Sequence, residues 1–250
     1  GARGGEGYTP QNLLPLMVKL LQPQNGKSLY DPAVGTGGML IAAKQFIEEH
    51  YGTQMALKLA GQDSSAISVS ISKMNLLLHQ IADATIHLGD TLRNPKNVRE
   101  GKIQKYDYVL SSPPFSLKLS QQLTRELEYD EYRRFPFGIP SRIADYVFLQ
   151  HIVSSLTAEG RAVVIVPGRV LFVSGREGEI RKEFIETDLI EAIVSLGPGL
   201  LTNTSIPIHM LVINKLKPQE RKGKILLINA SEEYERVERR SNILTQENHD

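Results

Sequence analysis

The stretch SLYDPAVGTGGMLIAAKQFIEEH, residues 28–50, does most to decide which fold this 250-residue chain adopts. Its apolar start, Ser28 to Tyr30, predicts a short strand that ends at Asp31. A glycine-rich turn at residues 35–38 follows, and apolar side chains then recur at helical spacing through Ile47. A strand, a glycine turn and a helix in this order are typical of the loop that holds a nucleotide at the edge of a parallel sheet.

The same alternation of strands and helices continues along the chain. We predict further strands at 57–63, 85–90, 106–110, 161–166, 189–196 and 208–214, a short extra strand at 225–228, and helices at 11–21, 64–78, 145–156 and 177–187. Residues 91–105 and 116–142 have no clear period and are predicted to be loops. This alternation predicts an α/β fold in which a doubly wound, mostly parallel sheet carries helices on both faces.

Composition restricts the class of protein further. Hydrophobic residues make up 41% of the chain and charged residues 23%, as in ordinary globular proteins. There is no cysteine, which excludes disulfides, thiolate metal sites and cysteine nucleophiles. The six histidines show no metal-binding spacing, so we assign no metal. No apolar run approaches the ~20 residues of a membrane span, and we expect a cytoplasmic protein.

The glycine turn differs from the common phosphate-binding loops. It reads Gly35-Thr36-Gly37-Gly38, which is neither Gly-x-Gly-x-x-Gly nor a Walker loop with its Gly-Lys-Ser/Thr. Asp31, just before it, would repel a pyrophosphate but would suit a cationic ligand. Asp63, at the end of the second strand, is placed to bind ribose hydroxyls. A nucleoside that carries an ammonium and a sulfonium, S-adenosylmethionine, fits both acids; the alternative is that each acid only caps a helix.

A second motif, Ser112-Pro113-Pro114-Phe115, follows the strand predicted at 106–110. The two prolines lack N–H donors, so the turn presents backbone carbonyl acceptors beside an aromatic ring. An exocyclic amine of a base needs such acceptors, because they hold its N–H groups and favour a pyramidal nitrogen while the ring stacks on Phe115. The motif indicates methyl transfer to a base amine; the alternative is an ordinary proline turn with a core phenylalanine.

The motifs and their order resemble a known family across residues 7–230. The motifs are Tyr8-Thr9-Pro10, the stretch Asp31 to Gly38, Asp63, Gly89-Asp90, Ser112 to Phe115, Ala144-Asp145-Tyr146, Gly160-Arg161-Ala162 and Gly178-Glu179-Ile180-Arg181. The chain is similar to the methylation subunit of type I restriction–modification systems, which are DNA adenine methyltransferases. This resemblance implies a seven-stranded Rossmann-like sheet of the S-adenosylmethionine-dependent methyltransferase type.

The resemblance also implies roles for individual residues. In the family, the Thr-Pro segment and the glycine loop hold the methionine part of the cofactor, which here assigns Thr9, Asp31, Gly35, Thr36 and Gly37. Tyr8, Pro10, Ala33 and Gly38 of the same segments are also assigned to the cofactor site. Asp63 would take the ribose, and Asp90 would lie near the adenine. The catalytic turn would be Ser112, Pro113, Pro114 and Phe115. We divide the chain into an N-terminal segment with a helix that packs on the catalytic domain (1–26), the catalytic domain (27–230) and a polar tail (231–250).

Ser112 departs from the family pattern, in which asparagine precedes the two prolines. An asparagine carbonyl reaches further than a hydroxyl and accepts without reorienting a proton. The serine leaves open a slower adenine enzyme, a cytosine-N4 enzyme, a subunit that binds cofactor and DNA without methyl transfer, or an engineered Asn→Ser change. The motif order favours adenine. A nicotinamide-dependent oxidoreductase is disfavoured, because Asp31 is present and the third spaced glycine is missing.

Partners are implied by the same resemblance. The expected substrate is double-stranded DNA, from which the target base must be flipped. A specificity subunit would read the sequence, a second methylation subunit would join it, and some systems add a nuclease–translocase subunit. The net charge of +1 fits a chain that borrows its DNA grip from a partner. Arg133, Arg134 and Arg142 are candidates for phosphate contacts, and a solvated charged face is the alternative. We also expect an N-terminal helical domain to precede this region in the family.

Overall fold

The elements follow the predicted alternation. The computed structural model describes residues 11–52, 56–201, 206–233, 235–238 and 241–243. Its helices are α1 (Leu14–Leu21), α2 (Gly38–Tyr51), α3 (Ala66–Leu78), α4 (Gln121–Glu128), α5 (Asp145–Ser154), α6 (Arg169–Phe172) and α7 (Arg176–Glu186). Its strands are β1 (Ser28–Asp31), β2 (Lys58–Asp63), β3 (Thr85–Leu88), β4 (Val98–Arg99), β5 (Lys102–Ile103), β6 (Tyr106–Ser111), β7 (Leu156–Pro167), β8 (Ile190–Leu196), β9 (Ile208–Asn214), β10 (Leu226–Ala230), β11 (Glu235–Glu238) and β12 (Ser241–Ile243).

The main sheet contains eight strands in the order β10-β8-β9-β7-β6-β1-β2-β3. All neighbours are parallel except β9, which runs antiparallel to both β7 and β8. The chain therefore forms the doubly wound, mostly parallel sheet that the alternation predicts. The count of seven strands is low by one, because the short extra strand predicted at 225–228 joins the sheet as β10, parallel to β8.

The two faces of the sheet are covered by different helices. Successive strand residues point to opposite faces, so Leu29 packs with the first helices and Tyr30 packs with α5 and α7. Val163 and Val164 of the central strand β7 divide in the same way. This two-sided burial explains why the central strands read as continuous apolar runs.

Two predicted loops contain regular structure. Residues 116–142 include α4, whose cap residue Ser120 accepts a hydrogen bond from the Leu123 N–H at 3.1 Å. Leu123 and Leu127 pack with Phe148 of α5 in a small separate cluster. Two apolar residues in an eight-residue helix are too few to reveal a period. Residues 91–105 include the β4–β5 hairpin.

The chain ends of the described region differ in their packing. On α1, buried Met17 and Leu21 join the same core as α2. At the other end, β11 and β12 pair as antiparallel strands.

The division into segments 1–26, 27–230 and 231–250 stays a prediction. Within the described residues, no helix is both long and apolar enough to cross a membrane.

Candidate active site

Polar residues from four neighbouring strands meet at one edge of the sheet. Asp31, Asp63 and Ser111 are the last residues of β1, β2 and β6, and Asp90 lies two residues after β3. The four strands are adjacent in the order β6-β1-β2-β3 and run parallel, so their carboxyl ends lie on the same side. Ligands of open α/β sheets bind at this edge. The fold thus brings together the acids and the Ser112–Phe115 turn, which the sequence separates widely.

The glycine loop turns tightly between β1 and α2. Gly35 has a φ of 51° and donates its N–H to Asp63 Oδ2 at 2.9 Å. Gly37 has a φ of 87° at the cap of α2, and a Cβ there would lie 2.9 Å from Ser72 Oγ. A side chain at this position would meet both backbone strain and a steric contact. The glycines therefore allow the loop to fold back against β2 and α3.

Asp31 is the most unusual group at this edge. It is 1% exposed, and its Oδ1 accepts hydrogen bonds from the Ser111 hydroxyl at 2.8 Å and from the Ala33 N–H at 3.0 Å. Burial raises the pKa of Asp31 to about 7, and these two hydrogen bonds only partly oppose that rise. Among the described residues, no arginine or lysine forms an ion pair with it. Within the described part of the chain, the carboxylate thus has no countercharge, which a cationic ligand would supply.

Asp63 and Asp90 have less extreme surroundings. Each is half-buried and accepts from the backbone N–H of the residue two positions further along the chain. The Ser65 N–H reaches Asp63 Oδ1 at 2.9 Å, and the Leu92 N–H reaches Asp90 Oδ1 at 2.9 Å. The cap of the next helix, α3, is Ser65, whose hydroxyl accepts from the Ser68 N–H. Asp63 therefore caps no helix itself and keeps acceptor capacity for a ligand.

The Ser112–Phe115 turn leaves the sheet directly after Ser111. Pro113 is buried, whereas Ser112 and Phe115 are half-buried and Pro114 is exposed. Pro113, Pro114 and Phe115 line a small cleft together with Asp145 and the end of β7. The accessible serine, the exposed proline and a partly open aromatic ring can meet a planar ligand from the carboxyl edge.

The three candidate arginines divide into two groups. Arg133 and Arg142 are exposed. Arg134 is 2% exposed, pairs with Asp130 at 2.7 Å and donates to the carbonyls of Thr91 and Leu92. The guanidinium group is buried and its N–H donors are bonded to acceptors within the protein, so the prediction that Arg134 contacts phosphate is wrong. It instead ties the long loop to the segment that follows Asp90.

Some predicted positions cannot be placed, and others were missed. Tyr8, Thr9 and Pro10 lie outside the described residues. Thr36 keeps its place in the glycine loop, where its carbonyl accepts from Asn75 Nδ2 at 3.0 Å. Sequence reasoning did not predict a role for Ser111, which donates to Asp31. The only indication in the sequence is that this polar residue ends an apolar strand just before the Ser112–Phe115 turn. Sequence reasoning also missed Thr91, which donates to the Pro32 carbonyl at 2.6 Å. Among the described residues, no cluster of candidate ligands could hold a metal.

The sheet order and the carboxyl-edge site define the class of protein. The fold is that of the S-adenosylmethionine-dependent methyltransferases. The model of the N-6 DNA methylase family matches residues 1–250, and the chain belongs to that family.

Comparison with known proteins supports the assignment. The MjaVII type I restriction enzyme methylase subunit of Methanocaldococcus jannaschii is 36% identical over 98% of this chain and 43% of its own length. The HindI methylase subunit of Haemophilus influenzae is 31% identical over 92% of this chain and 50% of its own. A type I methyltransferase subunit from Streptococcus thermophilus superposes with a TM-score of 0.84 at 28% identity, covering 98% of this chain and 52% of that one. The chain thus spans about half the length of such relatives.

Proposed function

We propose that this chain is the methyl-transferring region of the methylase subunit of a type I restriction enzyme. It would bind S-adenosylmethionine at the carboxyl edge of the sheet and methylate the N6 amine of adenine in DNA, in the cytoplasm. The single observation that carries the proposal is the buried Asp31 carboxylate, which has no ion-pair partner among the described residues and is joined through Ser111 to the Ser112–Phe115 turn. Membership of the N-6 DNA methylase family supports the choice of base.

Asp31 would hold the ammonium of the methionine part. A buried carboxylate with a pKa of about 7 gains most from a ligand that brings a positive charge, because the charge restores the ionised form. The Ser111 hydroxyl and the Ala33 N–H fix the carboxylate in place before the ligand arrives. Gly35, Thr36, Gly37 and Gly38 would let the backbone approach the same part of the cofactor. The proposed contacts of Tyr8, Thr9 and Pro10 rest on the sequence alone.

The remaining acids would hold the nucleoside. Asp63 keeps free lone pairs beside its two N–H donors and would accept the ribose hydroxyls. Asp90 directly precedes Thr91 and Leu92, whose carbonyls accept from Arg134, and it would lie near the adenine. The charge distribution fits this ligand: carboxylates suit a sulfonium nucleoside but would repel a pyrophosphate.

The reaction moves one methyl group and releases one proton. The bound cofactor supplies an electrophilic methyl group on its sulfonium. The Ser112 hydroxyl and the Pro113 carbonyl would accept the two amine hydrogens and so turn the nitrogen lone pair towards that methyl group. Phe115 would stack on the base. As the N–C bond forms, the sulfonium–methyl bond would break to leave a neutral thioether, and the amine would lose a proton to solvent, so that no base of matched pKa is needed.

A second reading follows from Ser112. A serine hydroxyl has a shorter reach than the usual asparagine carbonyl, so the turn is a weaker double acceptor. The chain would then methylate adenine slowly, act on cytosine N4, or bind cofactor and DNA without transfer. The family match favours adenine, and a measurement of the methylated base separates these outcomes.

DNA would be held mainly by partners. The net charge of +1 provides little general attraction to phosphate. Exposed Arg133 and Arg142 lie in the segment between the Ser112–Phe115 turn and α5, and they are the phosphate contacts that we propose here. A specificity subunit would read the sequence and, with a second methylation subunit, would complete the grip on duplex DNA, as implied by relatives that are subunits of type I enzymes. A nuclease–translocase subunit would join in restriction.

Two measurements test the proposal in order. Calorimetry on the full-length subunit should detect S-adenosylmethionine binding, and Asp31→Asn should abolish it. Transfer of a labelled methyl group to DNA by the complex with its specificity subunit should then follow. No cofactor binding would reject the proposal, whereas binding without transfer would select the non-catalytic reading.

A further inference from the structure

Asp145 joins three segments of the chain beside the proposed catalytic turn. It is the first residue of α5, and its side chain is only 5% exposed. Its Oδ1 accepts the Ser116 N–H at 3.1 Å, and its Oδ2 accepts from Arg169 Nη1 at 2.6 Å. Ser116 directly follows Phe115, and Arg169 begins α6 just after β7. One carboxylate therefore holds the exit of the turn against two elements of the rigid scaffold.

Ser116 has an unusual backbone conformation. Its φ is 55°, in the left-handed region, which costs a residue other than glycine roughly 1–2 kcal/mol. Such a conformation persists only where the surroundings fix it, and it is common next to functional sites. Here the Asp145 hydrogen bond holds the residue itself. The next residues pair with the segment before α5, since Ala144 N–H donates to Leu117 O and Leu119 N–H donates to Arg142 O.

Asp145 also lines the cleft beside the turn. The same cleft is lined by Pro113, Pro114 and Phe115 of the turn and by Val166 and Pro167 at the end of β7. A change in the Ser116 conformation would therefore move the Phe115 ring and the carbonyls that precede it. Placement errors of this kind are expensive in catalysis, because a shift of ~1 Å can lower a rate about 10²-fold.

We propose that Asp145, held by Arg169, is a positioning residue for methyl transfer: it fixes Ser116 and thereby aims the Ser112–Phe115 turn at the target amine. The proposal rests on the proposed function. Asp145 does not touch the cofactor acids, so its effect falls on the rate of transfer and leaves cofactor affinity unchanged. Arg169 acts through Asp145 by keeping the carboxylate charged and oriented.

Substitutions can separate positioning from folding. In Asp145→Asn, the amide nitrogen would face the Arg169 guanidinium, so the side chain cannot serve both partners. Adding Arg169→Gln supplies an acceptor for that nitrogen and frees the amide oxygen for Ser116. Glu191→Gln is the matched control, because Glu191 is 6% exposed and pairs with Arg161 at 3.1 Å near the start of β8, at the opposite edge of the sheet.

The experiment uses the full-length subunit with its specificity subunit. Three quantities are measured for each variant: hydrogen exchange of the peptide covering residues 112–119, the dissociation constant of S-adenosylmethionine, and the single-turnover methyl-transfer rate at saturating cofactor and DNA. We expect Asp145→Asn to speed the exchange and to lower the rate about 10²-fold with unchanged cofactor affinity. The double variant should recover much of the rate, and Glu191→Gln should keep wild-type exchange and rate.

The possible results point in different directions. Unchanged exchange in Asp145→Asn, or a rate within about twofold of wild type, would overturn the positioning role. An equal loss in Glu191→Gln would also overturn it, since the effect would then come from general stability. An inactive wild-type complex would instead refute the proposed function, and the exchange measurement would still decide whether Asp145 fixes the turn.

Discussion

Ser111 Oγ donates a hydrogen bond to Asp31 Oδ1 over 2.8 Å, and both side chains are buried. The bond connects the last residue of β6 with the last residue of β1. Ser111 immediately precedes the proposed catalytic turn, and Asp31 immediately precedes the glycine loop. The proposed cofactor site and the proposed base site therefore share one fixed contact, although 80 residues separate the two positions in sequence.

Ser111→Ala should weaken cofactor binding. The hydroxyl stabilises the charged form of Asp31, so its loss should raise the Asp31 pKa further and cost about 1–1.5 kcal/mol, roughly tenfold in affinity. Calorimetric titration with S-adenosylmethionine measures the effect. Ser155→Ala is the control, because Ser155 is also buried but donates to the His151 carbonyl at the C-terminal end of α5, away from Asp31. Equal affinities in wild type and Ser111→Ala would contradict the account.

Cofactor binding should depend on pH through Asp31. The pKa of Asp31 in the free protein is about 7, and a cationic ligand binds the ionised form. Affinity should therefore be highest above pH 7 and should fall by up to about tenfold per pH unit below it, with proton release on binding near neutrality. Titrations in buffers of different ionisation enthalpy count the protons. If cofactor affinity did not change between pH 5 and 8, Asp31 would not be the residue that binds the positive charge of the cofactor.

Gly37→Ala should destabilise the glycine loop more than Gly26→Ala does the turn before β1. Both glycines have similar positive φ values, 87° and 78°, so each alanine meets backbone strain. Only at Gly37 would the new Cβ also lie 2.9 Å from Ser72 Oγ, since nothing lies within 4 Å at Gly26. We expect a further loss of roughly 1–2 kcal/mol in the free energy of unfolding by urea. Equal losses would mean that the loop relaxes freely.

The loop arginines should separate into structural and DNA-binding residues. Arg134→Ala would leave the Asp130 carboxylate buried without its partner and should cost roughly 3–5 kcal/mol of stability. Arg133→Ala and Arg142→Ala should leave the thermal midpoint unchanged, weaken DNA binding by the complex and lower its salt dependence by about one ion each. Weaker DNA binding in Arg134→Ala at full stability, or no effect of the two exposed arginines, would reverse this assignment.

The sequence predicts the fold well because the signals are local. Residues such as Leu29 and Tyr30, buried on both faces of the sheet, give the central strands their apolar runs, and Ser65 marks the start of α3. The sequence predicts a short strand at 225–228, which the structure has at Leu226–Ala230, but a short apolar run does not show whether it joins the sheet. The helix Gln121–Glu128 was missed because its buried face contains only two leucines.

The positions of the candidate site residues could be predicted where a sequence motif contains them, but not where only tertiary contacts bring them together. Asp31, Asp63 and the Ser112–Phe115 turn stand at strand ends, and the parallel topology brings them together without further information. The sequence does not distinguish Arg134 from the adjacent Arg133. Only the fold reveals that Arg134 is buried and bonded to Asp130 and to the Thr91 carbonyl. The contacts of Ser111 and Asp145 likewise join segments that no local pattern relates.

The identity of the methylated base tests the central claim most directly. The full-length subunit, reconstituted with its specificity subunit, is incubated with S-adenosylmethionine and DNA, and the modified nucleosides are identified by mass spectrometry. We expect N6-methyladenine, formed faster by Ser112→Asn because the amide carbonyl is the better acceptor. N4-methylcytosine, or no methylated base despite tight cofactor binding, would contradict the account.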